Sequence, residues 1–148
     1  MPLNQQLVYL VQTDTTAGFL SQNSLKLATS KQRDKNQPFL ICVDSLRSLK
    51  NFVRVPTAFK KQVRRSNKTT FIYPNKQAIR VVQEENHQKF LRKLGWVYSS
   101  SANLTCKSFE ENYAKQKADI IVEDSRGFFE SKPSSIYKMS NSKLRRLR

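Results

Sequence analysis

The chain has 148 residues and a formal net charge of +16 at pH 7, with 38% hydrophobic residues and few glycines or prolines. This composition excludes a disordered chain and a low-complexity fibre, and the length suits one folded domain over residues 1–148. No apolar run reaches the about 20 residues of a membrane-spanning helix, so we expect a basic cytoplasmic protein, without membrane association, whose partners include a polyanion.

Strands and helices are predicted from apolar periodicity, β-branched runs and capping residues. In chain order they are a strand at 7–11, a helix at 24–29, a strand at 39–43, helices at about 45–52 and 56–65, strands at 69–73 and 78–82, a helix at 84–94, a strand at 96–98, a helix at 109–117, and strands at 119–122, 135–139 and 143–147. After the first strand, Gln12-Thr13-Asp14-Thr15 is expected to lead into a polar loop. Residues 74–77 should connect a hairpin, although this turn lacks glycine.

The predicted strands and helices alternate without a regular βαβ period and without an internal repeat. This pattern predicts an α/β or α+β protein with a mixed sheet and flanking helices. Polar loops follow several strand ends, which is where open sheets place a ligand crevice.

The chain contains Cys42, Cys106 and a single histidine, His87. Two isolated thiols and one imidazole exclude the usual zinc patterns and a disulfide framework, so we predict no metal site. Cys42 lies in an apolar strand and is expected to be a buried small hydrophobe. His87 lies at a polar helix start, and we expect it to be a solvated surface residue rather than a catalytic base.

Positive charge is concentrated in two regions of the sequence. The first is a cluster in and after a predicted helix, consisting of Lys60, Lys61, Arg64, Arg65 and Lys68, and the second is the tail from Lys143 to Arg148. Such a cluster can contact several phosphates of RNA, and the alternative of a merely solvated face is weaker here than for residues 69–108. No RNA-reading motif accompanies it, so the prediction is limited to contacts with backbone phosphates.

Three short polar motifs are candidates for a binding site. Lys31-Gln32-Arg33 lies between a helix and a strand, where its cations could bridge phosphate oxygens. Residues 99–103 offer hydroxyl and amide groups for a sugar, a phosphate or an amino acid, or merely form a turn. Thr13-Asp14-Thr15 is equally ambiguous. Three scattered glycines exclude a phosphate loop and a dinucleotide fingerprint, so side chains would have to hold a nucleotide.

In sequence order these motifs form a more specific pattern. Thr13-Asp14-Thr15 precedes Lys31-Gln32-Arg33, and Ser101-Ala102-Asn103 follows a later apolar strand. The chain thereby resembles the YrdC/TsaC family of threonylcarbamoyl-AMP synthases, whose hallmark is a Lys-x-Arg and Ser-x-Asn tetrad. The resemblance covers nearly the whole chain and implies an open twisted α/β sheet with a concave, positively charged cavity.

The resemblance also implies a reaction and a set of site residues. L-threonine, bicarbonate and ATP would give threonylcarbamoyl-adenylate and pyrophosphate, with Mg²⁺ sharing the charge, and other tRNA-modification proteins would use the product. Lys31 and Arg33 are the implied catalytic residues. The implied ATP-binding residues are Lys31, Arg33, Thr70, Ser101, Asn103 and Arg145, and the implied threonine-binding residues are Thr13, Thr15, Cys42 and Ser135.

Two alternatives stay open at this point. Ala17 and Gln37 depart from the family pattern and favour a non-catalytic relative that binds double-stranded RNA, tRNA or ribosomal RNA through its basic surface. A carbamoyl-transfer relative that acts on another carbamoyl adenylate is the other alternative. The intact tetrad favours the enzyme.

Overall fold

The computed structural model describes residues 3–148, which form nine strands and five short α-helices. The strands are β1 (Tyr9–Gln12), β2 (Ala17–Ser21), β3 (Leu40–Val43), β4 (Thr69–Ile72), β5 (Ala78–Val81), β6 (Trp96–Ser101), β7 (Ile120–Val122), β8 (Ser135–Met139) and β9 (Leu144–Arg146). The helices are α1 (Ser24–Lys31), α2 (Leu46–Leu49), α3 (Lys60–Arg65), α4 (Glu85–Leu94) and α5 (Glu111–Lys117), with a 3₁₀ turn at Thr57–Phe59 before α3.

All nine strands belong to one mixed sheet in the order β7-β1-β2-β6-β3-β5-β4-β8-β9. The pairs β1 with β7, β3 with β5 and β4 with β8 are parallel, and the other neighbours are antiparallel. The predicted mixed α/β architecture is therefore confirmed.

The two faces of the sheet are covered differently. On one face α1 and α5 pack around Phe19 and Leu27, and α2 and α3 continue that layer around Val43 and Val63. On the opposite face α4 packs around Leu91 and covers only part of the sheet. The uncovered remainder of the α4 face leaves room for a cavity.

The predicted polar loop is only a four-residue turn, Thr13–Thr16, because the chain then forms β2, a strand that was not predicted. This strand pairs with β1 on one side and β6 on the other, so the chain reverses within four residues at Thr13–Thr16. Gly18 permits β2 to lie close to Thr13 of this turn and to the backbone of β6. A Cβ atom there would lie 2.8 Å from Thr13 Cγ2 and 3.2 Å from the Ser100 carbonyl oxygen.

Several other boundaries differ from the sequence predictions. Ser45 caps α2, and the helix ends at Leu49 rather than near residue 52. The predicted helix at 56–65 begins as the 3₁₀ turn, and Pro56 precedes it instead of occupying its first position. The β4–β5 hairpin is confirmed, with Lys76 adopting the positive φ of 70° that glycine often supplies.

Among residues 3–148, no helix is long and apolar enough to cross a membrane.

Candidate functional site

A cavity of about 430 Å³ lies on the open part of the α4 face of the sheet. The registers that pair Leu40 with Ser99 and Thr70 with Arg80 place these residues side by side on its floor. Its size lies within the ordinary range for a small-molecule site. Its polar lining residues include Thr13, Thr15, Lys31, Arg33, Thr70, Arg80, Ser99, Ser101, Asn103, Ser134 and Arg148.

Lys31, the last residue of α1, holds the end of β6 in place. Its Nζ donates to the Ser101 carbonyl oxygen at 2.6 Å, the Asn103 carbonyl oxygen at 3.0 Å and Asn103 Oδ1 at 3.1 Å. Its Nζ also lies 3.4 Å from Ser101 Oγ. Burial, together with the nearby charge of Arg33, lowers the pKa of Lys31 to about 8. The ammonium thus fixes the loop that presents Ser101 and Asn103 to the cavity.

Arg33 is held with its guanidinium half-buried at the cavity wall. Its Nε donates to Gln37 Oε1 at 2.8 Å, and its Nη2 donates to the Pro38 carbonyl oxygen at 2.8 Å. Its guanidinium carbon lies 4.5 Å from the centre of the Phe39 ring. Since an arginine has five N–H donors, three stay available for an anion in the cavity.

Opposite this wall, Ser134 connects β4 to the tail. Its hydroxyl is 2.9 Å from Thr70 Oγ1, and both residues are buried. Arg148 Nε donates to the Ser134 carbonyl oxygen at 2.9 Å. This contact brings a cation from the tail to the cavity, and burial lowers the pKa of Arg148.

Arg80 of β5 lies on the cavity floor. Its charge is balanced by an ion pair with Asp14. Arg80 Nη2 is 3.2 Å from Asp14 Oδ1. Burial raises the pKa of Asp14, but the contact with His87 and the charge of Arg80 outweigh that effect and leave it below its ordinary value. Arg80 Nε is buried and has no partner among the described residues. The cavity floor therefore contains an arginine whose orientation is fixed by Asp14.

His87 is buried, so the prediction of a solvated histidine is wrong. Its Nδ1 accepts the Asp14 backbone N–H at 3.4 Å, and burial lowers the pKa of His87, which keeps the imidazole neutral. The residues next to His87 in the sequence are polar, and they led to the prediction of an exposed side chain. A usable signal was its spacing from Leu91 and Leu94, which places the three side chains on one face of α4.

The structure brings most of the predicted small-molecule site residues to this cavity. Lys31, Arg33, Ser101 and Asn103 share one wall, and Thr13, Thr15 and Thr70 also line the cavity. The residues outside the lining are Cys42, Ser135 and Arg145.

Each of these three residues has a structural reason for lying elsewhere. Cys42 is buried as predicted, but within the cluster under α4, where burial raises the pKa of its thiol. Arg145 pairs with Lys138 in the β8–β9 hairpin and is exposed. Arg148 takes the place in the lining expected of Arg145, and Ser134 takes that of Ser135.

Arg80 was not among the predicted site residues. A charged residue at this position, one strand residue away from apolar Ile79 and Val81, was the available signal, because alternate residues of a strand face opposite sides of the sheet.

All the charged side chains that line the cavity are cationic. Lys31, Arg33, Arg80 and Arg148 line it, whereas no Asp or Glu side chain among residues 3–148 does. The described residues also contain no cluster of three or more histidine, cysteine or acidic residues that could hold a metal. Such a lining can bind a ligand with several negative charges and stabilise further negative charge that develops on it.

The predicted RNA-binding cluster lies apart from this cavity, on and after α3. Lys60 and Arg64 face a groove between α2 and α3, whereas Lys61 and Arg65 border a separate surface depression. Lys68 follows the helix with a positive φ of 51°. All five cations are exposed, and none lies within 4.0 Å of a carboxylate in the described part of the chain.

A protein-family model named Sua5_yciO_yrdC, described as "Telomere recombination", matches residues 3–148. The chain belongs to this Sua5/YciO/YrdC family. The expected resemblance to YrdC proteins is therefore confirmed. A search of the curated proteins found no significant match.

Solved structures with the Sua5/YciO/YrdC fold superimpose on nearly the whole chain. P. abyssi Sua5 complexed with L-threonine matches with a TM-score of 0.82 and 16% identity over 96% of this chain and 50% of that one. E. coli YciO matches with a TM-score of 0.77 and 17% identity over 97% of this chain and 82% of that one. A phosphate- and nucleotide-bound HypF matches with a TM-score of 0.77 and 12% identity over 96% of this chain and 26% of that one.

The TM-scores show that these proteins share a fold with this chain. Because the identities are only 12–17%, the superpositions show the fold alone. The chain spans about half the length of the P. abyssi Sua5 it matches.

Proposed function

We propose that this Sua5/YciO/YrdC chain is an ATP-dependent nucleotidyltransferase that makes L-threonylcarbamoyladenylate. The observation that carries the proposal is the convergence of Lys31, Arg33, Ser101 and Asn103 on one wall of a cationic cavity. The P. abyssi Sua5 structure complexed with L-threonine supports the choice of amino acid. Cytoplasmic location and delivery of the product to tRNA-modification proteins belong to the same proposal.

The proposed reaction balances in two steps. The amine of L-threonine combines with bicarbonate to give N-carboxythreonine and water. An oxygen of this carbamate then attacks the α-phosphorus of ATP and forms a C–O–P linkage. The bond between the α-phosphorus and its bridging oxygen to the β-phosphorus breaks, and pyrophosphate leaves.

The cations of the cavity suit the second step. Negative charge increases on the phosphate oxygens in the transition state, so donors that are already fixed lower the barrier without reorganising. Arg33 is fixed by Gln37, Pro38 and Phe39 and keeps donors free for the phosphates. Lys31 holds Ser101 and Asn103 where they can contact the nucleotide, and Arg148 approaches from the opposite wall.

The other end of the cavity suits an amino acid. We assign the threonine carboxylate to Arg80, because its guanidinium lines the cavity and is held in a fixed orientation by Asp14. Thr13 and Thr15 place hydroxyl groups in the same cavity. Cys42 and Ser135, outside the lining, would act on threonine only through their neighbours.

Mg²⁺ enters this proposal only as the counter-ion of ATP. The described lining contains no Asp or Glu side chain, whose carboxylate is the ligand that Mg²⁺ prefers from proteins. The chain's own contribution is to bind and orient the three substrates and to offset phosphate charge.

Pyrophosphate release from ATP, Mg²⁺ and bicarbonate, measured with and without L-threonine, tests the proposal. We expect threonine-dependent release that falls at least about 100-fold in Arg33→Ala. Lys35→Ala is the control, because Lys35 is exposed and outside the cavity lining. Release that is unaffected by threonine, or equal in the two variants, would contradict the proposal.

RNA binding is the second candidate function, and the exposed cations Lys61, Arg65 and Lys68 favour it. Contacts of this kind recognise phosphates and weaken steeply with salt. Binding of tRNA and of a double-stranded RNA hairpin, measured across salt concentrations, is expected to drop in Lys61→Glu/Arg65→Glu and to stay intact in Arg33→Ala. RNA affinity that is unchanged by the charge reversal would show that this surface is only solvated.

A further inference from the structure

A groove of about 470 Å³ lies between α2 and α3, on the face of the sheet opposite the cationic cavity. Its floor is aliphatic, being formed by Leu46, Leu49, Val53, Val55 and Val63. These side chains belong to the cluster that packs on β3, β4 and β5, so the floor is continuous with the protein core. The groove is therefore built by residues that also form the protein core.

Four cations surround this aliphatic floor. Lys50 and Arg54 border the groove after α2, and Lys60 and Arg64 border it from α3. Within residues 3–148 none of the four lies within 4.0 Å of a carboxylate, and no acidic residue lines the groove. The rim thus carries four charges without a counter-charge around a surface that favours apolar groups.

We infer that this groove docks an acidic amphipathic segment of a partner protein. An amphipathic helix places apolar anchors at i, i+3, i+4 and i+7 in such a groove, and Asp or Glu on its flanks would meet the four cations. RNA fits less well, because bases stack on aromatic rings and the floor contains none. A second copy of this chain fits less well too, because it would bring another +16 of charge.

The cations of α3 provide a matched pair of variants. Lys60 and Arg64 border the groove, and Lys61 and Arg65 border a different depression on the same helix. Lys60→Glu/Arg64→Glu and Lys61→Glu/Arg65→Glu therefore change the net charge by the same amount at exposed positions of one helix. Only the first pair changes the rim of the groove.

The test uses three fluorescein-labelled synthetic peptides of about 18 residues. The first has leucine on one helical face and glutamate on the other, the second replaces the glutamates with lysine, and the third replaces the leucines with serine. We expect saturable binding of the first peptide only. We expect Lys60→Glu/Arg64→Glu to weaken it at least about 10-fold and Lys61→Glu/Arg65→Glu less than about twofold.

Methyl NMR on the wild-type protein locates the bound peptide. Leu46, Leu49 and Val55 should shift on addition of the first peptide, and Val8 and Leu10, in the cluster under α1, should not. Equal weakening by the two charge reversals, tight binding of the serine peptide, or absence of binding would overturn the inference. So would shifts of the groove methyls caused by an RNA hairpin or by self-association.

Discussion

Arg80 and Asp14 form an ion pair that is almost closed to solvent, with Arg80 Nη2 3.2 Å from Asp14 Oδ1 and side chains that are 4% and 1% exposed. The two residues come from distant parts of the chain, β5 and the turn between β1 and β2. The pair connects the cavity floor to the N-terminal half of α4, because Asp14 also contacts His87.

Asp14→Asn should destabilise the protein by about 3–5 kcal/mol, because it leaves Arg80 buried without a counter-charge. Urea unfolding at pH 7 measures this loss. The control is Glu85→Gln, which breaks the exposed ion pair with Lys89 and should cost less than about 1 kcal/mol. Similar losses in the two variants would contradict a buried role for the pair.

The ion pair between Arg80 and Asp14 should also make the free energy of unfolding depend on pH. The folded pKa of Asp14 is depressed, so its contribution is fully present above the unfolded value of 3.8 and is lost as the pH falls through the folded value. Asp14→Asn should therefore differ most from the wild type near neutral pH and converge with it in acid.

Because of His87, the free energy of unfolding should decrease as the pH is lowered from 7.5 to 5.5. Burial lowers its folded pKa below 6.5, so in this window the unfolded chain binds a proton that the folded chain does not. The unfolding free energy should fall by up to about 1.4 kcal/mol per pH unit below pH 6.5. His87 is the chain's single histidine, so His87→Gln should flatten this part of the profile. An unchanged slope in His87→Gln would assign the effect to other groups.

Lys31 should make ATP affinity decrease above pH 8. Its pKa is about 8 because the ammonium is buried near Arg33, so a rising pH removes the cation that fixes Ser101 and Asn103. We expect the Kd for ATP to rise about 10-fold per pH unit above pH 8 in the wild type. Lys31→Met should bind ATP weakly at every pH, and titration calorimetry from pH 7 to pH 9.5 measures both. Parallel profiles would exclude Lys31 as the titrating group.

Gly18→Ala should narrow the cavity. The added Cβ would lie 2.8 Å from Thr13 Cγ2 and 3.2 Å from the Ser100 carbonyl oxygen, so Thr13 or β6 must move. We expect a stability loss of about 1–3 kcal/mol together with weaker binding of L-threonine. Gly127→Ala is the matched control. It imposes a positive φ of 68° on alanine in open space, so it should cost about 1–2 kcal/mol and leave binding unchanged.

The four residues on one cavity wall were predictable because their motifs occur in a diagnostic order in the sequence. Lys31 and Arg33 lie where a helix ends, and Ser101 and Asn103 lie where a strand ends, so local patterns placed them in loops and helix ends that can converge. The strand β2 was not predictable in this way. It is only five residues long, and its position depends on pairing with both β1 and β6.

The Asp14, Arg80 and His87 cluster was missed for a different reason. All three side chains are polar, and polar residues are ordinarily exposed, so sequence alone favoured the surface. Only the packing of α4 against the β1–β2 turn shows that they neutralise and bond to one another. The exchange of Arg145 for Arg148 likewise depends on the register of β9, in which a shift of one residue reverses the direction of a side chain.

The tail is joined to the sheet through its final residue. The Ile136 backbone N–H donates to the Arg148 carbonyl oxygen at 3.0 Å, and the Arg148 N–H donates to the Ile136 carbonyl oxygen at 3.2 Å. Arg148 also lines the cavity. A substitution of Arg148 would therefore remove a cation of the cavity and the side-chain contact with Ser134 together, and leave the backbone pairing with Ile136 in place.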